Sequence, residues 1–391
     1  MFETLMIGTS GLLSHAKGLK VVGNNLANVN TPGFKSSQLQ FAEMFEQGGG
    51  ARPEGQKDAQ GRGVSDQATR VMFRAGTDQS TGNALDLAIG GNGFFVVKRD
   101  GQLLYSRAGQ FEFNGDNVLV NARGDKVQTM DSSGRLADIG LADLEHSLPK
   151  ATSTVKVGGI LTTVVANPPV NATLNGVTVI APTGVANTVN LTFTDAGSGN
   201  YTVKVADGAT GNQLGIGTIK FANGFAVAGS STLSFNYTNV VTPAFAVQLD
   251  FSAVQNNSQA SQLSMSSQDG YSSGVRVDQT IAADGTVTVR YSNGQTAKGP
   301  RVALADFQSA SDLSQVAGGF EARDGAEVKL GYAGDGAFGK LQSGHLEGSN
   351  VDLAEEFGNL ILMQRGYQAS SHVISTANDM IQQLFDMKGN R

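Results

Sequence analysis

Apolar positions at the two ends of the chain repeat with a helical period, and those between them alternate. From the N-terminus, Leu5, Thr9, Leu12, Ala16, Leu19, Gly23 and Leu26 follow a 4-3-4-3 spacing, with Phe2, Met6, Leu13 and Val22 beside them. That spacing puts a stripe on one helix face, close to a coiled-coil seam. It predicts a helix of about 28 residues, or roughly 40 Å. At the far end Leu353, Phe357, Leu360, Tyr367, Ile374, Ile381 and Phe385 share a face, flanked by Met363, Val373, Ala377, Met380 and Leu384. Residues 349–352 fit a capping box with Asp352 in place of Glu, Glu355 and Glu356 sit where the helix dipole favours acids, and Lys388-Gly389 reads as a C-terminus.

Between residues 36 and 80 the period is lost. Residues 46–63 are Gly-rich and polar, as in a linker or extended arm. From Asp86 to Ile139 the period becomes two: GFFVVKRDGQLLYSR and QFEFNGDNVLVNARGD predict strands, and the texture returns at Ile281 to Gln295. Asp100-Gly101, Asn114-Gly115, Asn175-Gly176, Asp284-Gly285 and Asn293-Gly294 read as hairpin turns. Residues 151–279 hold only four basic and five acidic side chains, so they form a region apart from their flanks. There NTVNLTFTDAGSGNYTVKVAD alternates, with Tyr201, Val203 and Val205 facing one way and Thr202 and Lys204 the other. The fold class expected is mainly β with long terminal α-helices, in a nested order. Residues 1–30 and 350–391 form a coiled-coil-like helical domain, 31–80 the linker or arm, 81–148 and 275–349 a discontinuous β domain, and 149–274 an inserted all-β outer domain, a sandwich or barrel-like fold.

Composition narrows the function. With 391 residues, 40% of them apolar, several cores are affordable in length. A net charge of −6 and no Lys/Arg cluster argue against a nucleic-acid partner. The absence of cysteine removes disulfides, thiol chemistry and thiolate metal sites. No apolar run is long enough to predict a membrane helix, and residues 1–13 lack the regions of a signal peptide.

GDGAFGKL, residues 334–341, offers the most tempting chemistry. Gly334, Gly336 and Gly339 match G-x-G-x-x-G, and with Lys340 they begin a Walker A loop. Leu341 stands where that loop needs Ser or Thr, and a loop rather than a helix is expected to follow. A glycine-rich turn is the plainer reading. His15, His146, His345 and His372 are scattered, with no metal-binding spacing; His15 and His372 could approach each other across the terminal helices. Asp138, Asp143 and Glu145 read as turn carboxylates rather than a glycosidase pair. We therefore expect no catalytic residue, cofactor or metal. The stripes are more informative. A lone amphipathic helix is marginal in water, and two packed together still leave part of a wide stripe wet. That points to a homopolymer or bundle, with Leu5, Leu12, Leu19, Leu26, Leu353, Phe357, Leu360, Tyr367, Ile374 and Ile381 packing within and between subunits.

NNLANVNTPGFK resembles the N-terminal signature of the bacterial flagellar axial proteins, which form rod and hook. Its pattern is read at Gly18, Asn24, Asn25, Asn28, Asn30, Thr31, Pro32, Gly33, Phe34 and Lys35. LEGSNVDLAEEFGNLILMQRGYQASSHVISTANDM is similar to the family's C-terminal segment, and ALDLAIGGNGFFVV resembles the start of its β core. Within that family, an insert the size of 149–274 points to the hook members. The resemblance implies a structural subunit outside the cell, polymerising into a curved hollow tube that acts as a universal joint carrying torque from rod to filament. It implies export through the flagellar type III apparatus without a cleaved signal, and terminal helices that order on assembly. Its implied partners are further copies and the distal rod, hook cap, hook-filament junction and hook-length control proteins, with no nucleic acid and no membrane insertion. Pro32 and Gly33 would then stop the first helix where the chain leaves an inner tube. A distal rod subunit, or a secreted β-rich adhesin or glycan-binding protein, are the alternatives; the insert speaks against the first and the terminal signature against the second.

Overall fold

The computed structural model describes residues 2–45, 61–164, 171–238, 243–336 and 338–389. Helix α1 (Phe2–Ala27) opens the chain and helix α2 (Leu353–Gly389) closes it, with strands between. At 1.5 Å per residue their 26 and 37 residues span about 39 and 55 Å. The structure moves the cap of α2. Asp352 Oδ1 accepts the N–H groups of Ala354 (2.8 Å) and Glu355 (3.1 Å), so Asp352 is the N-cap rather than the last of the four residues of a box begun by Ser349. The reason lies in Asn350, whose side chain holds other backbone groups and keeps this stretch out of the helix.

Within the stretch expected as a linker or arm, β1 (Ser37–Phe45) and β2 (Gly61–Val71) pair as an antiparallel hairpin. Residues 46–60 of the glycine-rich run lie outside the described residues. The hairpin lies on α1, where Ser10 Oγ accepts the Val64 N–H at 3.3 Å. Phe73, just past β2, enters the β core edge-on to Phe94 (5.4 Å) and Phe320 (5.1 Å).

The chain divides into two compact units. One comprises Met1–Ala142, Gln279–Thr288 and Lys298–Arg391, the other Asp143–Asp278 and Val289–Ala297. In the first, Phe94–Arg99 and Gln102–Ser106 form a hairpin about Asp100-Gly101, whose φ values of 47° and 91° make a type I′ turn. Late strands complete the same sheet: Leu304 pairs with Phe95, and Phe320 with Tyr105. Phe94, Val96, Tyr105, Ala305, Leu313 and Phe320 form a buried cluster on it.

In the second unit a nine-stranded sheet runs from Ala172–Ile180 to Gln262–Gln268. Tyr201, Val203 and Val205 are buried and Lys204 is exposed, as the alternation requires. The sheet curls, because Phe193 and Phe251 come from strands that are not neighbours yet meet edge-on at 5.8 Å. The chain enters and leaves beside a bridge between Lys150 and Tyr271. Asp269 ties the passage by accepting the Ser153 and Thr154 N–H groups (2.8 and 2.9 Å).

The glycine pairs are more varied than their spelling suggests. Asn175-Gly176 is a bulge within a strand, not a turn between two, and Gly176 N–H donates to Asn190 Oδ1. Gly285 and Gly294 have positive φ without their preceding Asp284 or Asn293, so these turns are not type I′. In the Asn114-Gly115 loop it is Asn117 that takes positive φ.

Candidate assembly surface

The opening signature forms a buried polar junction joining the two ends of the chain. Asn25 closes it from α1: its Nδ2 donates to Ser37 O and Glu356 Oε1 (both 2.8 Å), and its Oδ1 accepts the Ser37 N–H (2.9 Å). Asn350 does the same from the other end, accepting the Ser36 N–H (2.7 Å) and donating to Met72 O (2.6 Å). Each asparagine thus serves strand-forming backbone that has no ladder partner there, which a buried amide group must have.

Lys35 lies at the centre, only 1% exposed. Its Nζ pairs with Glu347 Oε1 and donates to Arg74 O at 2.7 Å. Glu347 also accepts the Gly76 N–H (2.9 Å) and an Arg107 Nη1 hydrogen (3.2 Å). Burial on its own would raise the Glu347 carboxyl, but Lys35, the Gly76 N–H and Arg107 outweigh it and hold the carboxyl below its ordinary value. Gly33 fits under this cluster. Its φ is 70°, its N–H donates to Glu347 O (2.7 Å), and a β-carbon there would overlap the Ala108 backbone. Pro32 and Phe34 are half-buried beside it. Asn24, Asn30 and Thr31 are exposed, and Asn28 caps the helix end by donating to Asn24 O at 2.9 Å. From sequence, Glu347 and Arg107 were not singled out, and Asn350 and Glu356 stood out only as residues at the start of a helix. A lysine as deeply buried as Lys35 demands a carboxylate, but nothing in spacing announces that burial.

The helices pack antiparallel along a seam of small residues. A methyl group at Gly8 would lie 2.8 Å from Ile374 Cγ1, one at Gly11 2.8 Å from Ser370 Oγ, and one at Gly18 2.6 Å from Met363 Sδ; Gly366 admits the His15 ring. This seam runs one position before the leucine stripe. Leu5, Leu12, Leu19 and Leu26 flank it half-buried, as do Leu360, Ile374 and Ile381 on α2. Leu353, Phe357 and Tyr367 face outward, with Ile361, Met380, Leu384 and, most of all, Leu362 (66% exposed) and Phe385 (70%). On α1, Met6, Ile7 and Leu13 are exposed too. Beyond the Gly8–Ile374 contact α2 continues for fifteen residues, whereas α1 has six, so the end of α2 has no α1 opposite it.

The remaining candidates separate. The described part of GDGAFGKL is a turn that runs into strand Lys340–Ser343, so no helix N-terminus faces it. His15 faces Gly366, while His372 is exposed and His345 Nδ1 lies 2.9 Å from Asp78 Oδ1. Asp138 accepts from Lys126 Nζ (2.9 Å) and Gln128 (2.8 Å). Among the described residues no helix is long and apolar enough to cross a membrane.

The stretches that build the terminal helices and the junction lie within spans that match known families. The family described as flagella basal body rod protein matches residues 5–35, the flagellar hook protein FlgE/F/G D1 domain matches 88–162, and the flagellar basal body rod FlgEFG protein C-terminal matches 342–387. The flagellar hook protein FlgE of Escherichia coli is 33% identical over 97% of this chain and 98% of its own length. The chain belongs to the flagellar hook protein family. The Borreliella burgdorferi hook protein is 31% identical across 99% of this chain and all of that one. The solved Helicobacter pylori hook protein FlgE2 is more distant, at 13% identity and a TM-score of 0.45 over 69% of this chain. Two of the three matched segments are the stretches that meet in the hook-family junction around Lys35 and Glu347.

Proposed function

We propose that this chain is the structural subunit of the flagellar hook, self-assembling into a hollow, curved tube that transmits torque from rod to filament. The observation that carries this reading is the outward apolar face of α2, Phe357, Ile361, Leu362, Leu384 and Phe385, on a helix that meets α1 at Gly8, Gly11 and Gly18. Such a face needs further apolar surface, and identical copies supply it. Membership of the hook family over nearly the full length supports the same reading.

The finer assignments follow from it. The terminal helices build the inner tube and order on assembly, and the insert forms the outermost layer, where its self-contained core lets it vary. The chain leaves the cell through the type III apparatus without a cleaved signal, and meets the distal rod, the hook cap, the length-control protein and the hook–filament junction. It has no catalytic role. Electron microscopy of a deletion strain tests the function: rods complete and hooks missing is the result expected, and intact hooks with lost surface attachment would replace this reading with an adhesin.

A further inference from the structure

A cavity of about 190 Å³ lies between α1, β1 and the first turns of α2, and it is chemically incomplete. Asp352, Glu355 and Glu356 line it against a single cation, Arg74, which sits 3.7 Å from Glu355. Glu356 is 7% exposed. One of its oxygens accepts from Asn25 Nδ2 at 2.8 Å, and the other, Oε2, is buried with no partner among the described residues. Asn25 offers nothing more, since its second N–H goes to Ser37 O and its oxygen takes the Ser37 N–H. A buried carboxylate with one oxygen empty is a costly arrangement for a chain to keep.

We propose that this cavity receives a lysine or arginine side chain from a second copy of the chain, with Glu356 as its counter-ion. The proposal rests on the polymer reading above. Val21, Leu39, Met72 and Met363 also line the cavity, giving apolar wall to an aliphatic stem, while the carboxylates wait for the charged head. A water or a small hydrated cation would use the carboxylates and leave that wall unmatched. With the helices packed and no cation present, burial raises the Glu356 carboxyl, Asn25 opposes this only in part, and Glu355 adds to it. An entering cation works in the opposite direction, so assembly and ionisation of Glu356 support each other. Lys20 and Arg365 are exposed on the two helices, where a copy lying alongside would present them.

The test is the critical concentration for polymerisation of the purified full chain, read by sedimentation across a salt series. Glu356→Gln keeps the shape and the Asn25 hydrogen bond. It is expected to raise the critical concentration by about tenfold or more and to flatten its salt dependence, with the monomer's circular dichroism unchanged. Glu356→Lys should block polymerisation, and adding Lys20→Glu or Arg365→Glu to it should restore it and so identify the cation. A Glu356→Gln chain that polymerises at the wild-type concentration with the wild-type salt dependence overturns the proposal and leaves a water-filled cavity. Failure of the wild-type chain itself to polymerise would instead remove the hook reading, and this proposal with it.

Discussion

In the insert, Val155, Leu191, Val203 and Leu249 are wholly buried, and Phe193 meets Phe251 edge-on. Along the terminal helices, the residues in closest contact are Gly8, Gly11, Gly18 and Gly366, while Leu362 and Phe385 face outward. Burying one large aliphatic side chain contributes roughly 1.5–3 kcal/mol. The insert collects that contribution many times within one chain. The helices do so less often: among the described residues Val22 and Ala377 are their buried apolar side chains, while glycines let Ile374 and Met363 approach the backbone of α1. On the polymer reading proposed above, the insert holds a core of its own and the helices are completed by neighbouring copies.

The largest effect is expected at the outer helix face. Leu362→Asp should abolish polymerisation, measured by sedimentation, with the thermal unfolding of both β regions unchanged. Polymers of normal yield from that variant would mean the outward face is idle. At the junction, Glu347→Gln should destabilise the first unit by about 3–5 kcal/mol in denaturant titrations, because Lys35 and Arg107 would stay buried without their counter-charge. The same residue sets a pH dependence. Its folded pKa is depressed, so its contribution is complete above the unfolded value of about 4.3 and is lost as pH falls through the lower folded value. Wild type should therefore lose stability in that acid window more steeply than Glu347→Gln.

Within the insert, Leu191→Ala should cost about 2–5 kcal/mol of unfolding free energy and leave the critical concentration for polymerisation unchanged. A large shift in that concentration would show that the insert's core and assembly are coupled. Gly33→Ala is expected to cost at least about 1–3 kcal/mol from the left-handed backbone, and more because its β-carbon overlaps the Ala108 backbone, which only a backbone shift relieves.

Much of this was legible in sequence because period reports burial directly. The helical repeats located α1 and α2, and strict alternation at Tyr201, Val203 and Val205 located a buried face. What escaped has physical causes. A helix seam made of glycines carries no hydrophobic signal, so the leucine stripe one position away was the visible feature. The hairpin of β1 and β2 lacks a two-sided core, and its strands read as polar chain. The cap at Asp352 was displaced because Asn350 is held by Ser36 and Met72, distant in sequence. The signature from Asn24 to Lys35 was conspicuous as a motif, yet its partners Glu347 and Glu356 lie more than three hundred residues away and no local rule pairs them.

Amide hydrogen exchange on the full-length chain, compared between verified monomer and polymer, tests the central claim most directly. Residues 2–30 and 353–389 should exchange freely in the monomer and become protected in the polymer, while the insert's strands are protected in both. Strong protection of both terminal segments in the monomer would contradict it, since the two helices would then already hold a complete core within one chain.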